Sequence, residues 1–218
     1  MIKMESSSIV SVTVTLQPIN LYNQGEFDEL LRQRVLCGWH DNAEAIEAWR
    51  VAVDQKTKSL FWIIPSPSPS PTVESRYAGH IALMSEASPP DEDQARPDKT
   101  VMMLSNLFVL KEYRRGGIAR AAVEIIEKYA RIEPYGSPNC KVITVNTISR
   151  RYTEDDGEEW RGSYARRGME PPPKGSALED WYARMGYVKW KEAPTYEDTF
   201  LDGTPLMLVA AYLRKELE

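Results

Sequence analysis

Leu104–Ala130 reads LSNLFVLKEYRRGGIARAAVEIIEKYA, and its interpretation decides the fold. Leu104–Leu110 is apolar enough for a buried strand. A basic turn follows, Arg114-Arg115-Gly116-Gly117-Ile118-Ala119, and then Ile118, Ala122, Ile125, Ile126 and Tyr129 fall on one stripe of an amphipathic helix. Two glycines let the backbone turn sharply and bring its N–H groups close to a ligand, and the helix adds the positive end of its dipole. Such a turn is built for an anion, most simply a pyrophosphate. It lacks the Gly-Lys-Ser/Thr ending of a Walker loop and the G-x-G-x-x-G of a dinucleotide fingerprint, which excludes both.

The surrounding composition is that of a globular protein. The chain has 218 residues, 42% hydrophobic and 27% charged, which predicts one domain over residues 1–218. A net charge of −5 without a long basic run argues against nucleic acid, and an acidic surface suits an amine acceptor. Cys37 and Cys140 do not form a metal-ligand pattern with His40 and His80, so no metal is expected. The N-terminus has no apolar run long enough for a signal peptide, and no segment is long enough to span a bilayer. The expectation is a reduced protein of the cytoplasm or nucleus, without a membrane partner, as monomer or homodimer.

Outward from the central stretch, Ile9–Leu16 alternates as a half-buried strand ended by Pro18. Glu26–Cys37 predicts a helix with Phe27, Leu30, Leu31 and Val35 inward and Gly38 as its stop. A second helix carries Ile46, Trp49 and Val53, capped by Asp41 with Glu44. Leu60–Ile64 and Tyr77–Ser85 form a hairpin joined by a Pro/Ser-rich exposed loop over residues 65–76, and Ser88–Lys99 reads as a second exposed connection. Beyond the central unit, Lys141–Thr147 is a strand. The long insert 148–176 bears Trp160, Tyr164, Arg161, Arg166 and Arg167, and is either a lid or a mobile loop. Ala177–Met185 is a short helix stopped by Gly186, followed by strands at Tyr187–Lys191 and Leu206–Leu213.

Arg114-x-x-Gly117-x-Ala119 resembles the acetyl-coenzyme A signature Q/R-x-x-G-x-G/A of the GNAT superfamily of N-acetyltransferases, and the order of elements matches that fold from end to end. The resemblance implies an α/β (α+β) domain whose central mixed sheet is mostly antiparallel and flanked by helices. It implies that loop amides of Arg115, Gly116, Gly117, Ile118, Ala119 and Arg120, aided by the Arg114 and Arg115 side chains, bind the pyrophosphate of acetyl-coenzyme A. The pantetheine arm is expected to pair like an added strand with Leu107, Phe108 and Val109. The backbone N–H of Leu107 or its neighbour is expected to polarise the thioester carbonyl.

Asp180-Trp181-Tyr182-Ala183-Arg184-Met185-Gly186-Tyr187 resembles the family's second signature, L-Y-x-x-x-G-F/Y, which makes Tyr182 the general acid. Ahead of that helix, where many members carry an asparagine, Gly175 and Ser176 stand, and Ser176 is taken as the coenzyme contact. Many relatives place a glutamate base on the central strand. Here Met102, Met103, Leu104, Ser105 and Asn106 occupy that region, leaving water held by Ser105 and Asn106, or His80, as the alternatives. The expected reaction is acetyl transfer to a primary amine of a small molecule by direct attack in a ternary complex. The alternatives are a peptide or protein acceptor, at a lysine or an N-terminus, and a non-catalytic acyl-coenzyme A-binding module.

Overall fold

The computed structural model describes residues 13–66 and 77–218, so the expected strand at Ile9–Leu16 falls partly, and the Pro/Ser loop 65–76 largely, outside the described residues. Internal contacts gather the chain into two compact units. The first comprises the described residues up to Met84 together with Asn106–Tyr135; the second comprises Ser85–Ser105 and Gly136–Glu218. Strand β4 (Val101–Val109) contributes its first half to the second unit and its second half to the first.

In the first unit, β1 (Thr13–Pro18), β2 (Lys58–Ser66), β3 (Gly79–Met84) and the end of β4 lie side by side in that order. β1 pairs antiparallel with β2, from Thr13 opposite Ser66 to Pro18 opposite Phe61, and β2 pairs antiparallel with β3, from Lys58 opposite Met84 to Ile63 opposite Gly79. Helices α1 (Gln24–Cys37) and α2 (Ala43–Asp54) supply Leu30, Ile46 and Trp49 to a core completed by Ile19, Leu21, Leu60, Trp62 and Ala82. Full burial of a side chain of this size contributes about 1.5–3 kcal/mol, so this cluster is what fixes the two helices on the sheet. Helix α3 (Ile118–Tyr129) buries Ile118, Ala122, Val123 and Ile126.

Two expectations for these helices are corrected. Val35 is exposed on α1, and Gln33 and Arg34 are buried in its place because their polar ends find partners inside. The cap of α2 is Asn42, whose side chain accepts from Ala45 N–H at 2.8 Å, one residue beyond Asp41; an amide at that position reaches the first-turn N–H directly.

In the second unit the order is β4, β5 (Val142–Ile148), β7 (Pro205–Glu216), β6 (Val188–Thr199). β4 and β5 are parallel, and β5–β7 and β6–β7 are antiparallel, which gives the mixed, mostly antiparallel sheet of the expected α/β class. β6 runs well past Lys191 because backbone pairing with β7 carries a polar sequence, EAPTYEDT, that lacks strand alternation. The insert 148–176 is built rather than bare: it holds α4 (Arg151–Glu154) and α5 (Ser163–Arg166), buries Tyr152, Thr153 and Ser163, and ties Arg167 to Asp198 at 2.9 Å. Ser88–Lys99 is likewise not wholly exposed. Gln94 and Ala95 are buried, with the Gln94 carbonyl accepting from Thr144 Oγ1 at 2.6 Å and its side-chain oxygen from Asn146 at 2.9 Å. No helix of the described residues is long and apolar enough to cross a membrane.

Candidate functional site

The loop between β4 and α3 is assembled by backbone hydrogen bonds. Leu110 N–H donates to Ala78 at 2.9 Å, and a single 3-10 turn at Lys111–Tyr113 is closed by Tyr113 N–H to Leu110 at 2.9 Å. Arg115 and Gly117 then adopt left-handed backbone angles, φ 71° and 79°. Gly117 is thereby explained by its conformation, but Gly116 is not: its φ is ordinary, and a Cβ built on it meets no protein atom within 4 Å. The fold itself gives Gly116 no reason to be glycine.

Helix α3 supplies the matching electrostatics. Helices α1 and α2 are capped by Asn23 and Asn42 and carry Glu26 and Glu44 in their first turns. α3 begins on Gly117 with no side-chain cap and no acidic residue in its first turn, so the positive end of its dipole is left uncompensated by the helix. Around it, Arg120 is exposed and pairs with Glu124 at 3.0 Å, Ala119 is half-buried and Arg115 is exposed. Arg114 turns back instead: its Nε donates to the Val109 carbonyl at 2.8 Å and its guanidinium lies 5.8 Å from the Phe108 ring centre. It anchors the loop to the end of β4.

β4 carries Leu107, half-buried, and Phe108 and Val109, buried. Its ladder with β5 pairs Val101–Met103 with Val142–Thr144, and three residues farther on Asn106 takes φ 51°, a left-handed angle inside a strand.

Near this kink the first unit holds a buried polar cluster whose lysine sequence reasoning missed. Lys58, on β2, is only 5% exposed; its Nζ donates to Asn106 Oδ1 at 2.6 Å, lies 3.4 Å from Met84 Sδ and sits 4.5 Å from the Trp49 ring centre. Burial, assisted by the Arg34 charge, pulls its ammonium down to about 7. The available signal was the two-residue alternation, which puts Lys58 on the same face as the core residues Leu60 and Trp62.

His80 is fully buried between Arg34 and Gln33. Arginine can only donate, so His80 Nε2 accepts from it at 3.3 Å and Nδ1–H donates to Gln33 Oε1 at 2.9 Å. Burial and the charges of Arg34 and Lys58 hold the imidazole neutral, well below its ordinary range. With its lone pair occupied, His80 is a structural histidine.

In the second unit, α6 (Leu178–Ala183) carries Tyr182, 4% exposed, with the rings of Trp181 and Tyr187 at 4.8 and 5.4 Å. Burial, with Tyr196 nearby, raises its phenol far above the usual value, so it is protonated at every physiological pH. Ser176 is exposed and donates to the Pro173 carbonyl at 2.5 Å. A further polar chain runs from Gln94 through Asn146 to the Tyr196 hydroxyl, which donates to Asn146 Oδ1 at 2.8 Å.

A basic glycine turn thus runs from β4 into a helix whose N-terminus no side chain caps. The chain matches the model of the acetyltransferase (GNAT) family over residues 39–157, more than half its length, and belongs to that family. No curated protein matches it. Its fold is shared with Arabidopsis thaliana NAA60 in complex with acetyl-CoA, 14% identical with a TM-score of 0.58, covering 94% of this chain and 99% of that one. It is shared also with the spermidine/spermine N-acetyltransferase SpeG from Vibrio cholerae, 10% identical, TM-score 0.57, over 94% and 93%. An aminoglycoside 6'-N-acetyltransferase complexed with coenzyme A is 12% identical, TM-score 0.58, over 94% and 97%.

Proposed function

We propose that this acetyltransferase uses acetyl-coenzyme A as donor and a primary amine of a small molecule as acceptor, by direct attack in a ternary complex. The observation that carries the donor is Gly116: an open glycine, unexplained by fold or packing, ahead of a helix whose N-terminus no side chain caps. The residues present fit the pyrophosphate. Amides of Arg115, Gly116, Gly117, Ile118, Ala119 and Arg120 would hold it, with the Arg115 side chain adding charge and Arg114 fixing the loop. Coenzyme A supplies the activated thioester; the chain supplies orientation and charge. Leu107, Phe108 and Val109 offer backbone to the pantetheine, and Leu107 N–H donates to the thioester oxygen as charge develops there. Ser176 is the proposed contact ahead of α6.

Tyr182 acts as the proton donor to the leaving sulfur. Its raised phenol keeps the proton in place until charge appears, and a sulfur deprived of water by burial is itself a stronger base than in solution. His80 is not assigned as the base, because its lone pair is taken; the proton released by the attacking amine passes to water. The acceptor is drawn from the net charge of −5, which favours cationic amines, and two of the structural neighbours act by their names on a polyamine and an aminoglycoside. A panel of polyamines, aminoglycosides, amino acids and peptides, assayed for coenzyme A release, tests this. Small-amine turnover is expected to dominate; dominant peptide turnover would overturn the acceptor, and no turnover with intact coenzyme binding would make the chain a binding module.

A further inference from the structure

We propose that Lys58 is a positioning residue for the transfer: through its hydrogen bond to the side chain of Asn106, the residue before Leu107, it holds the left-handed kink of β4 and brings a buried positive charge to that turn of the strand. The inference rests on the donor reading above and extends it to a residue outside the coenzyme loop.

Three observations meet at one point. Asn106 sits at φ 51° inside a strand, a left-handed angle that asparagine tolerates and that interrupts the extended backbone at this position. Its side-chain oxygen is bound by Lys58 Nζ at 2.6 Å, and Lys58 is 5% exposed. The residue next along the chain is Leu107, whose N–H is the proposed partner of the thioester oxygen. An ammonium bonded to the side chain of the preceding residue acts in low-dielectric surroundings, where its charge counts most.

The charge is not there to satisfy a carboxylate. The groups facing Lys58 are Arg34 from α1, which acts on it directly, His40 from the joint between α1 and α2, and His80 and Met84 from β3, with the Trp49 ring from α2. Asp41 acts on Arg34 and His40 and is not among the causes shifting Lys58. A buried lysine among cations and rings is an expensive way to fill a core position that methionine or leucine would fill more stably. Its protonation at about 7 makes the arrangement titratable close to neutral pH. Protonated, Lys58 donates a charge-assisted bond to Asn106; once it has shed its proton to solvent, the bond weakens and the field at Leu107 collapses.

The test reads the thioester itself. The infrared carbonyl stretch of acetyl-coenzyme A, isotope-labelled at the thioester carbonyl and bound to the full chain, is recorded between about pH 6 and about pH 8.5, the interval bracketing the shifted lysine. The expected result is a downshift from free acetyl-coenzyme A at low pH that falls by more than half across this interval. Lys58→Met is expected to bind the coenzyme with the residual shift at every pH, and Lys58→Arg, which stays charged, to keep the full downshift throughout. A stretch that does not change with pH in the wild type, or that changes equally in Lys58→Met, overturns the inference while leaving the donor reading intact. Failure of acetyl-coenzyme A to bind overturns both. The wild-type titration carries the test alone if a variant does not fold.

Discussion

Lys58→Met separates the cost of the buried lysine from everything else in the fold. In the folded protein Lys58 titrates at about 7 rather than the ordinary 10.5. At about 1.4 kcal/mol per pH unit, burying it charged costs about 5 kcal/mol. Against this stands the loss of its bond to Asn106, about 1–3 kcal/mol, so the variant is expected to be more stable by about 2–4 kcal/mol at about pH 6. The sign with pH follows from linkage. Below the folded value the lysine is charged in both states and the cost is fully present. Between about 7 and 10.5 the folded protein has released a proton that the unfolded chain still holds, so wild-type stability rises with pH. The advantage of Lys58→Met therefore shrinks by about 2–3 kcal/mol between about pH 6 and about pH 9. Urea unfolding of both proteins at a series of pH values measures it, and taking the difference cancels the titrating groups on which Lys58 does not act. A difference that stays constant with pH would refute the reasoning.

Gly116→Val is expected to leave the unfolding free energy within about 0.5 kcal/mol of wild type, since its Cβ faces open space, while weakening acetyl-coenzyme A binding by about tenfold or more in calorimetry. Gly79→Ala is the reverse case: its Cβ falls 2.0 Å from the Phe108 carbonyl oxygen, and forcing β3 off the end of β4 is expected to cost about 2–3 kcal/mol in urea unfolding. Tyr182→Phe is expected to lower kcat by about 100-fold with the dissociation constant of acetyl-coenzyme A unchanged; unaltered turnover would remove Tyr182 from the chemistry.

The sequence made most of the fold legible because the key unit changes period at a readable place. The apolar run of β4 gives way at two glycines to the helical stripe of α3, and Gly38 ends α1 at φ 78° as the sequence indicates. What stayed hidden depended on partners far along the chain. Nothing local in α1 marks Arg34 as buried and Val35 as exposed; the His80 and Trp39 partners decide it. Gln94 lies in a stretch that composition marks as loop, yet Thr144 and Asn146 on β5 draw it inward. The second half of β6 is polar and forms because β7 presents a backbone ladder to it. Lys58 stands at the edge of an apolar strand where a charged residue ordinarily means the strand has ended, and only the packing of α1, α2 and β3 shows it to be interior.

The central claim is that the turn at Arg114–Ala119 holds the pyrophosphate of acetyl-coenzyme A on the uncapped start of α3. Calorimetric titration of the full chain with acetyl-coenzyme A, beside Gly116→Val, tests it most directly. Saturable binding by the wild type, clearly weaker in the variant at equal fold stability, is the predicted result; no binding at millimolar concentration, or equal affinity in both proteins, would contradict it.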